Sequence, residues 1–285
     1  MSSSANGASP IVVWAARLSW LAVGVVAPWS LLADQSSAPV KAVLLTLGWT
    51  GWLAVLIGLL VPSAISLTVV RAIAPLGVVA SVVTMDPIAV IVTVIALVLL
   101  FSSHTCDALV QGGAYGAEIR FLLRTPIPYL VPAVLVWGCL AASVVGGPLL
   151  LAAGNIWIGV PVCVVAALLC WKVPVRLHRL SRRWLVLVPA GIVVHDHLVL
   201  AETMMLRRSN VSMVAERRDH DDAADLTGGV LGPRIMVRMH QADKVIISPI
   251  TMKTLGTTEA LHVQSFTVSP RRTAMALAGV VSPRE

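Results

Sequence analysis

IWIGVPVCVVAALLCWKVPVRLHRLSRR, residues 156–183, decides the fold. Its first part, from Ile156 to Trp171, carries no charged residue. A stretch of that length and polarity suits the hydrocarbon core of a bilayer. From Lys172 the chemistry changes, and Lys172, Arg176, Arg179, Arg182 and Arg183 crowd the end. Basic residues next to an apolar run mark the cytosolic side under positive-inside bias. The segment therefore reads as a transmembrane helix leaving the membrane into the cytosol, with a new domain beginning after Trp171.

The rest of the chain divides at the same place. Of 285 residues, 57% are hydrophobic and 12% charged, with a mean hydropathy of +0.87. Soluble domains usually carry about 25% charged residues. Residues 1–171 hold five Lys/Arg and four Asp/Glu, whereas residues 172–285 hold sixteen and ten. The chain is expected to comprise an N-terminal tail (1–10), a transmembrane domain (11–171) with a cytosolic loop (102–125), and a basic cytosolic domain (172–285).

Upstream of residue 156 lie five further apolar runs, at residues 11–33, 42–61, 64–83, 88–101 and 126–153. The first, at 1.5 Å per residue, can cross a core of ~30 Å. Short polar or Pro-containing breaks separate them, including Pro62-Ser63, Asp86-Pro87 and Gly154-Asn155. The expectation is an α-helical bundle of about six transmembrane helices. The loop after the fourth run carries Arg120 and Arg124, and the opposite side holds only Lys41. That bias places both termini in the cytosol of a multi-pass plasma-membrane protein. No Lys or Arg precedes the first run, so it lacks the charged start of a secretory signal and is read as retained.

After residue 172 the pattern turns to short strands. Residues 184–188 are apolar, Pro189-Ala190-Gly191 is a turn, and residues 192–194 follow. Further strand-like stretches fall at 198–206, 211–216, 235–240, 245–247 and 262–268, with a charged loop at 217–232. Ser269-Pro270 reads as the opening of a terminal helix with Pro at its first position.

This order resembles a bacterial PH-like domain, in which two antiparallel sheets are closed by a C-terminal helix. Residues 184–194, 209–216 and 265–272 carry the resemblance. It implies a β-rich domain of about seven strands and one helix, serving as an interaction module. The chain also resembles a group of polytopic membrane proteins from actinobacteria, on ALVQGGAYGAE (108–118) and SRRWLVLVPAGIVVHD (181–196). That second resemblance implies no activity and no site residues.

Several residues are candidates for function. The pairs Arg182-Arg183, Arg207-Arg208 and Arg271-Arg272 could meet anionic lipid headgroups or a protein partner. Arg17 and Arg71 interrupt apolar runs. Both lie near proposed cytosolic ends and can snorkel, while Arg71 with Pro75 could instead line a transport path. His195-Asp196-His197 could offer two imidazoles to one ion, but HxH alone fits a polar turn better, so no metal is expected. The four cysteines match no metal framework. Residues 117–125 read as an amphipathic helix on the inner leaflet, with Ile119, Phe121, Leu122 and Leu123 dipping into it. The cytosolic domain has only Trp184 and Phe266 as aromatics, which gives no stacking platform for nucleic acid.

Together these features favour a non-enzymatic accessory, scaffold or assembly protein without a cofactor, working with the bilayer and a membrane-protein partner or further copies of itself. The alternatives are a small transporter or channel component, and a membrane-embedded enzyme acting on lipid precursors through His104, Asp107 and Glu118.

Overall fold

The computed structural model describes residues 7–217, 223–248, 252 and 261–281. The chain forms two compact units. One is helical and takes Ala8–Leu109 and Val131–His178. The other is β-rich and takes Met1–Gly7, Val110–Leu130 and Arg179–Glu285.

Eight helices precede the main β region: α1 (Pro10–Val26), α2 (Pro28–Asp34), α3 (Ala38–Leu60), α4 (Ala64–Thr84), α5 (Pro87–Phe101), α6 (Ser103–Gln111), α7 (Ile127–Ala152) and α8 (Ile156–Ser181). Proline opens α1, α2, α3 and α5, where a missing N–H costs no helical hydrogen bond. The Ser63 and Asp86 side chains accept from the exposed N–H groups at the starts of α4 and α5. Between α1 and α2 the chain bends at Ala27, whose φ is 43°. Five segments are long and apolar enough to cross a membrane, counting α1 with α2 as one. A sixth is possible if α5 and α6, bent by 53°, act as a single span. Helix α4 runs unbroken through Pro75.

Within the helical unit, α1 packs on α5 and α3, and α4 packs on α2, α3 and α5. Trp20 and Trp52 tie α1 to α3 reciprocally: each indole N–H donates to the other's backbone carbonyl, at 3.0 and 2.9 Å. That satisfies both indole donors from within the protein, as an apolar solvent requires. The Trp29 ring lies directly against Gly48, where the missing side chain lets α2 and α3 approach.

The β-rich unit contains two four-stranded sheets. The first is an antiparallel meander in the order β1 (Ile119–Leu122), β2 (Trp184–Val188), β3 (Gly191–His195), β4 (Met204–Arg207). The second has the order β5 (Val211–Glu216), β7 (Ile235–Val245), β8 (Leu261–Val268), β6 (Ala224–Asp225), with β6 parallel to β8. A final helix, α9, spans Thr273–Val281. One core unites both sheets, with Phe121, Leu185, Val194, Leu206, Ile235, Met239, Phe266 and Ala276 among its members. Leu123–Pro270 and Leu200–Ile247 bridges stitch the sheets together.

Several expectations are corrected here. Residues 117–125 form no amphipathic helix. Ile119, Phe121 and Leu122 are buried in strand β1, paired with β2 in the register Leu122↔Trp184. Gln111 clamps the start of that strand, accepting from Arg120 N–H and donating to the Glu118 carbonyl. The helix begun at Ile156 passes Trp171 and ends at Ser181, so the change in composition lies inside α8. The stretch 198–206 gives way to β4 at Met204–Arg207, whereas 235–240 and the first residue of 245–247 belong to one bulged strand, β7. Pro270 bridges Leu123 and does not open the helix, which starts at Thr273. In the 217–232 loop, residues 218–222 lie outside the described residues, and β6 occupies part of the remainder.

Candidate functional site

The β-rich unit holds a groove of about 260 Å³. Leu187, Val188 and Ile192 of the first sheet form one wall, four consecutive residues of β5 (211–214) another, and Gly279 and Val280 of α9 a third. Strand β5 is an outer strand, paired with β7 alone among the described residues. The volume is below the ~300–1,000 Å³ usual for drug-sized ligands and suits a few side chains of a segment laid alongside a strand. Arg208 stands at this groove, exposed, its guanidinium donating to the Val280 carbonyl at 3.4 Å. The neighbouring Arg207 is also exposed. The groove thus mixes apolar side chains with polar surface, and it carries Arg208 at its edge.

The other expected arginines separate. Arg183 is only 1% exposed and makes a bidentate ion pair with Asp196, Nε to Oδ1 and Nη2 to Oδ2, both at 2.7 Å. Its third nitrogen donates to the Arg124 carbonyl at 2.8 Å. Arg183 is therefore an internal strut joining the ends of β1 and β3 to the start of β2, and it leaves the expected surface set. Asp196 also accepts from the Leu198 N–H, so it shapes the turn after β3. Arg271 and Arg272 are half-buried, and Arg272 donates to the Gly7 carbonyl at 2.7 Å. Arg182 remains exposed.

Around Arg182 lies a constellation that the sequence hid. The His195 ring stacks on Trp184 with centroids 5.2 Å apart, and the guanidinium of Arg120 lies 5.2 Å from the same indole. His195 and His197 meet edge to face at 4.2 Å. His195 Nδ1 shares a hydrogen bond with Thr203 Oγ1, while Nε2 is buried without a partner among the described residues. Burial first, then His197 and Arg182, lower the His195 pKa to about 4, with Asp196 opposing them. His197 is lowered by burial and by Arg182 and Arg179, again against Asp196.

That shift predicts a pH dependence. Between the unfolded value near 6.5 and about 4, the unfolded chain binds the proton that folded His195 refuses. Stability is therefore lost as pH falls through this window. The melting temperature of the full chain in nonionic detergent is expected to drop from pH 7 to pH 5. His195→Asn should flatten that slope, and an unchanged slope would contradict the assignment.

In the helical unit, Arg71 on α4 reaches Cys106 Sγ on α6 at 3.8 Å. One turn earlier, Thr68 bonds His178 Nδ1 of α8 at 2.9 Å. His104 Nδ1 accepts from the Ser9 N–H, and Asp107 is fully buried. Asp107, expected in the cytosolic loop (102–125), lies instead on α6 within the helical unit. Glu118 belongs to the β-rich unit, engaged with Arg120 and the Tyr115 N–H, while His104 and Asp107 belong to the helical unit. Arg17 donates to the Leu59 carbonyl and lies over Trp14. Among the described residues no group of three or more His, Cys, Asp or Glu side chains is placed to hold a metal ion.

Comparison with protein-family models, curated proteins and solved structures finds no match for this chain.

Proposed function

We propose that this is a multi-pass membrane accessory protein whose β-rich, PH-like unit holds an extended, acidic segment of a membrane-protein partner in the groove beside β5. The observation that carries this reading is the groove itself. It combines an outer strand, the apolar side chains of Leu187, Ile192 and Val214, and the exposed Arg208, with Arg207 next to it in the chain. An outer strand can lend its backbone to an added strand, pockets beside it select side chains, and a basic edge favours acidic partners. Two sheets sharing one core, with a terminal helix against β5, support the PH-like assignment.

Parity supports six crossings of the membrane. Gly7 is hydrogen-bonded to Arg272 within the β-rich unit, and β1 and β2 pair in one sheet of that unit. The chain must return to the same side before β1 and again before β2, which fits four crossings and then two. Positive-inside bias supports the cytosol as that side, in our reading of the chain as a plasma-membrane protein.

The test is co-purification of the tagged full chain from its native membrane. Wild type is expected to retain a stoichiometric membrane-protein partner. Ser212→Glu with Gly279→Trp, which fills the groove and repels an acidic segment, should cut that partner at least tenfold while the melting temperature holds. Retention of the partner by the filled variant would overturn the reading.

A second reading, a transport path past Arg71 and Pro75, draws on the polar contacts among Thr68, Arg71, Cys106 and His178. Ion or solute flux in vesicles that vanishes in Arg71→Ala, with folding intact, would favour it.

A further inference from the structure

The last turn of α8 and the turn after β3 bring cationic and titratable side chains together without a matching carboxylate. Arg179 and Arg182 come from α8 and its end, and both are exposed. His195 and His197 come from the end of β3 and the residues after it, with rings 4.2 Å apart. Arg182 acts electrostatically on both imidazoles, and Arg179 acts on His197. Trp184 backs the group, stacked on His195 on one hand and under Arg120 on the other. The nearest acid, Asp196, is 2% exposed and held by both arms of Arg183. The nearest other acid to Arg120 is Glu118, which it already pairs. Positive charge is thus concentrated here, while the local carboxylates are already engaged.

We propose that Arg179, Arg182, His195 and His197 form a binding site for a phosphate group, supplied either by an anionic lipid headgroup or by a free phosphate compound. A tetrahedral dianion would offset the mutual repulsion of these groups. It would draw a proton onto the imidazoles, which burial and then the surrounding charge otherwise keep neutral. An oxygen beside His195 would also supply the acceptor that Nε2 lacks. Arginine is suited to the task because its planar donors match phosphate oxygens in pairs. The position just beyond an apolar helix favours the lipid source, because headgroups gather where such helices leave the bilayer. This site is separate from the groove beside β5 and does not depend on it.

The site is charged by protonation, so occupancy and pH are coupled. The groups that face the histidines are Trp184 and Arg120, Thr203, Asp196, Arg182 and Arg179. Of these, only the histidines change charge near neutrality. For a phosphate group whose own charge is held constant, binding should therefore take up protons.

The experiment uses the full chain in a nonionic detergent. Native mass spectrometry would follow retention of phosphatidic acid against phosphatidylcholine, and calorimetry would follow binding of inorganic phosphate. The variants are Arg182→Ala with His197→Ala, both at exposed positions, and Lys244→Ala as an exposed basic control elsewhere. The double variant is expected to lose about tenfold or more in retention, since each basic residue near a headgroup is worth about fivefold. Lys244→Ala should leave retention unchanged. Preferential retention of phosphatidic acid, lost in the double variant, identifies a lipid headgroup. Binding of inorganic phosphate alone, lost in the same variant, identifies a free phosphate compound. Equal loss in Lys244→Ala, or binding that the double variant leaves intact, would overturn the site. The His197 ring signals in NMR give a second readout. Their titration should move to higher pH with the bound phosphate, and a titration that ignores it would also overturn the site.

Discussion

Arg183→Ala is expected to destabilise the β-rich unit by about 3–5 kcal/mol, because it strands a carboxylate in the core. Asp196 is 2% exposed and receives two hydrogen bonds from Arg183, at 2.7 Å each. Alanine removes both together with the donor to the Arg124 carbonyl. Domains are stable by only about 5–15 kcal/mol, so a loss of this size should appear as aggregation or a large fall in melting temperature. The useful comparison is Arg183→Met with Asp196→Leu. Replacing both partners by apolar groups leaves no buried charge, and the double variant should recover most of the loss. If the double variant melts no higher than Arg183→Ala, the penalty lies in packing and not in the stranded charge.

Gly191→Ala should cost about 3 kcal/mol, by forcing a methyl group into backbone. A Cβ at this position would overlap the Leu206 carbonyl oxygen and lie 3.0 Å from the Arg208 nitrogen. Both are main-chain atoms of the adjacent strand β4 and its end, so no side chain can swing away. Gly191 opposes Arg207 in the register, and the Arg208 N–H donates to the Ala190 carbonyl at 2.9 Å. Separation of β3 from β4 follows, along with distortion of the groove that Gly191 lines. Gly229→Ala is the control. Its φ is +82° but nothing lies within 4 Å of the added carbon, so only the conformational cost of about 1 kcal/mol applies. Thermal unfolding of the full chain separates the two; equal losses would mean that the overlap at Gly191 is relieved.

The sequence made some of this legible. Apolar runs report burial in lipid by composition alone, so α3, α4, α7 and the first part of α8 stand out without any knowledge of their neighbours. The hairpin of β2 and β3 was readable because Pro189-Ala190-Gly191 interrupts two apolar stretches. Strand β1 was not, because four residues carry too little pattern, and their partner strand begins only at Trp184. The basic pair Arg182-Arg183 shows the limit most sharply. The two residues are chemically alike and adjacent, yet one is exposed and the other 1% exposed. What separates them is Asp196, across the sheet, and a pairing across a sheet has no signature in neighbouring letters. The grouping of the phosphate-site residues was hidden for the same reason, since Arg182 follows α8 while His195 and His197 come from the end of β3 and the turn after it.

The pairing of β1 with β2 also sets an order of events during synthesis. Between Leu122 and Trp184 lie α7 and α8, so the ribosome must complete both helices before β1 has a strand to join. At ~5–20 residues per second, that interval lasts several seconds. Throughout it, Ile119, Phe121 and Leu122 have no sheet to cover them. Delivery of the helix pair to the membrane is thus a step on which maturation of the sheet depends. A nascent chain stalled before Trp184 would offer its apolar strand to chaperones or to proteolysis, giving the cell a checkpoint for incomplete insertion.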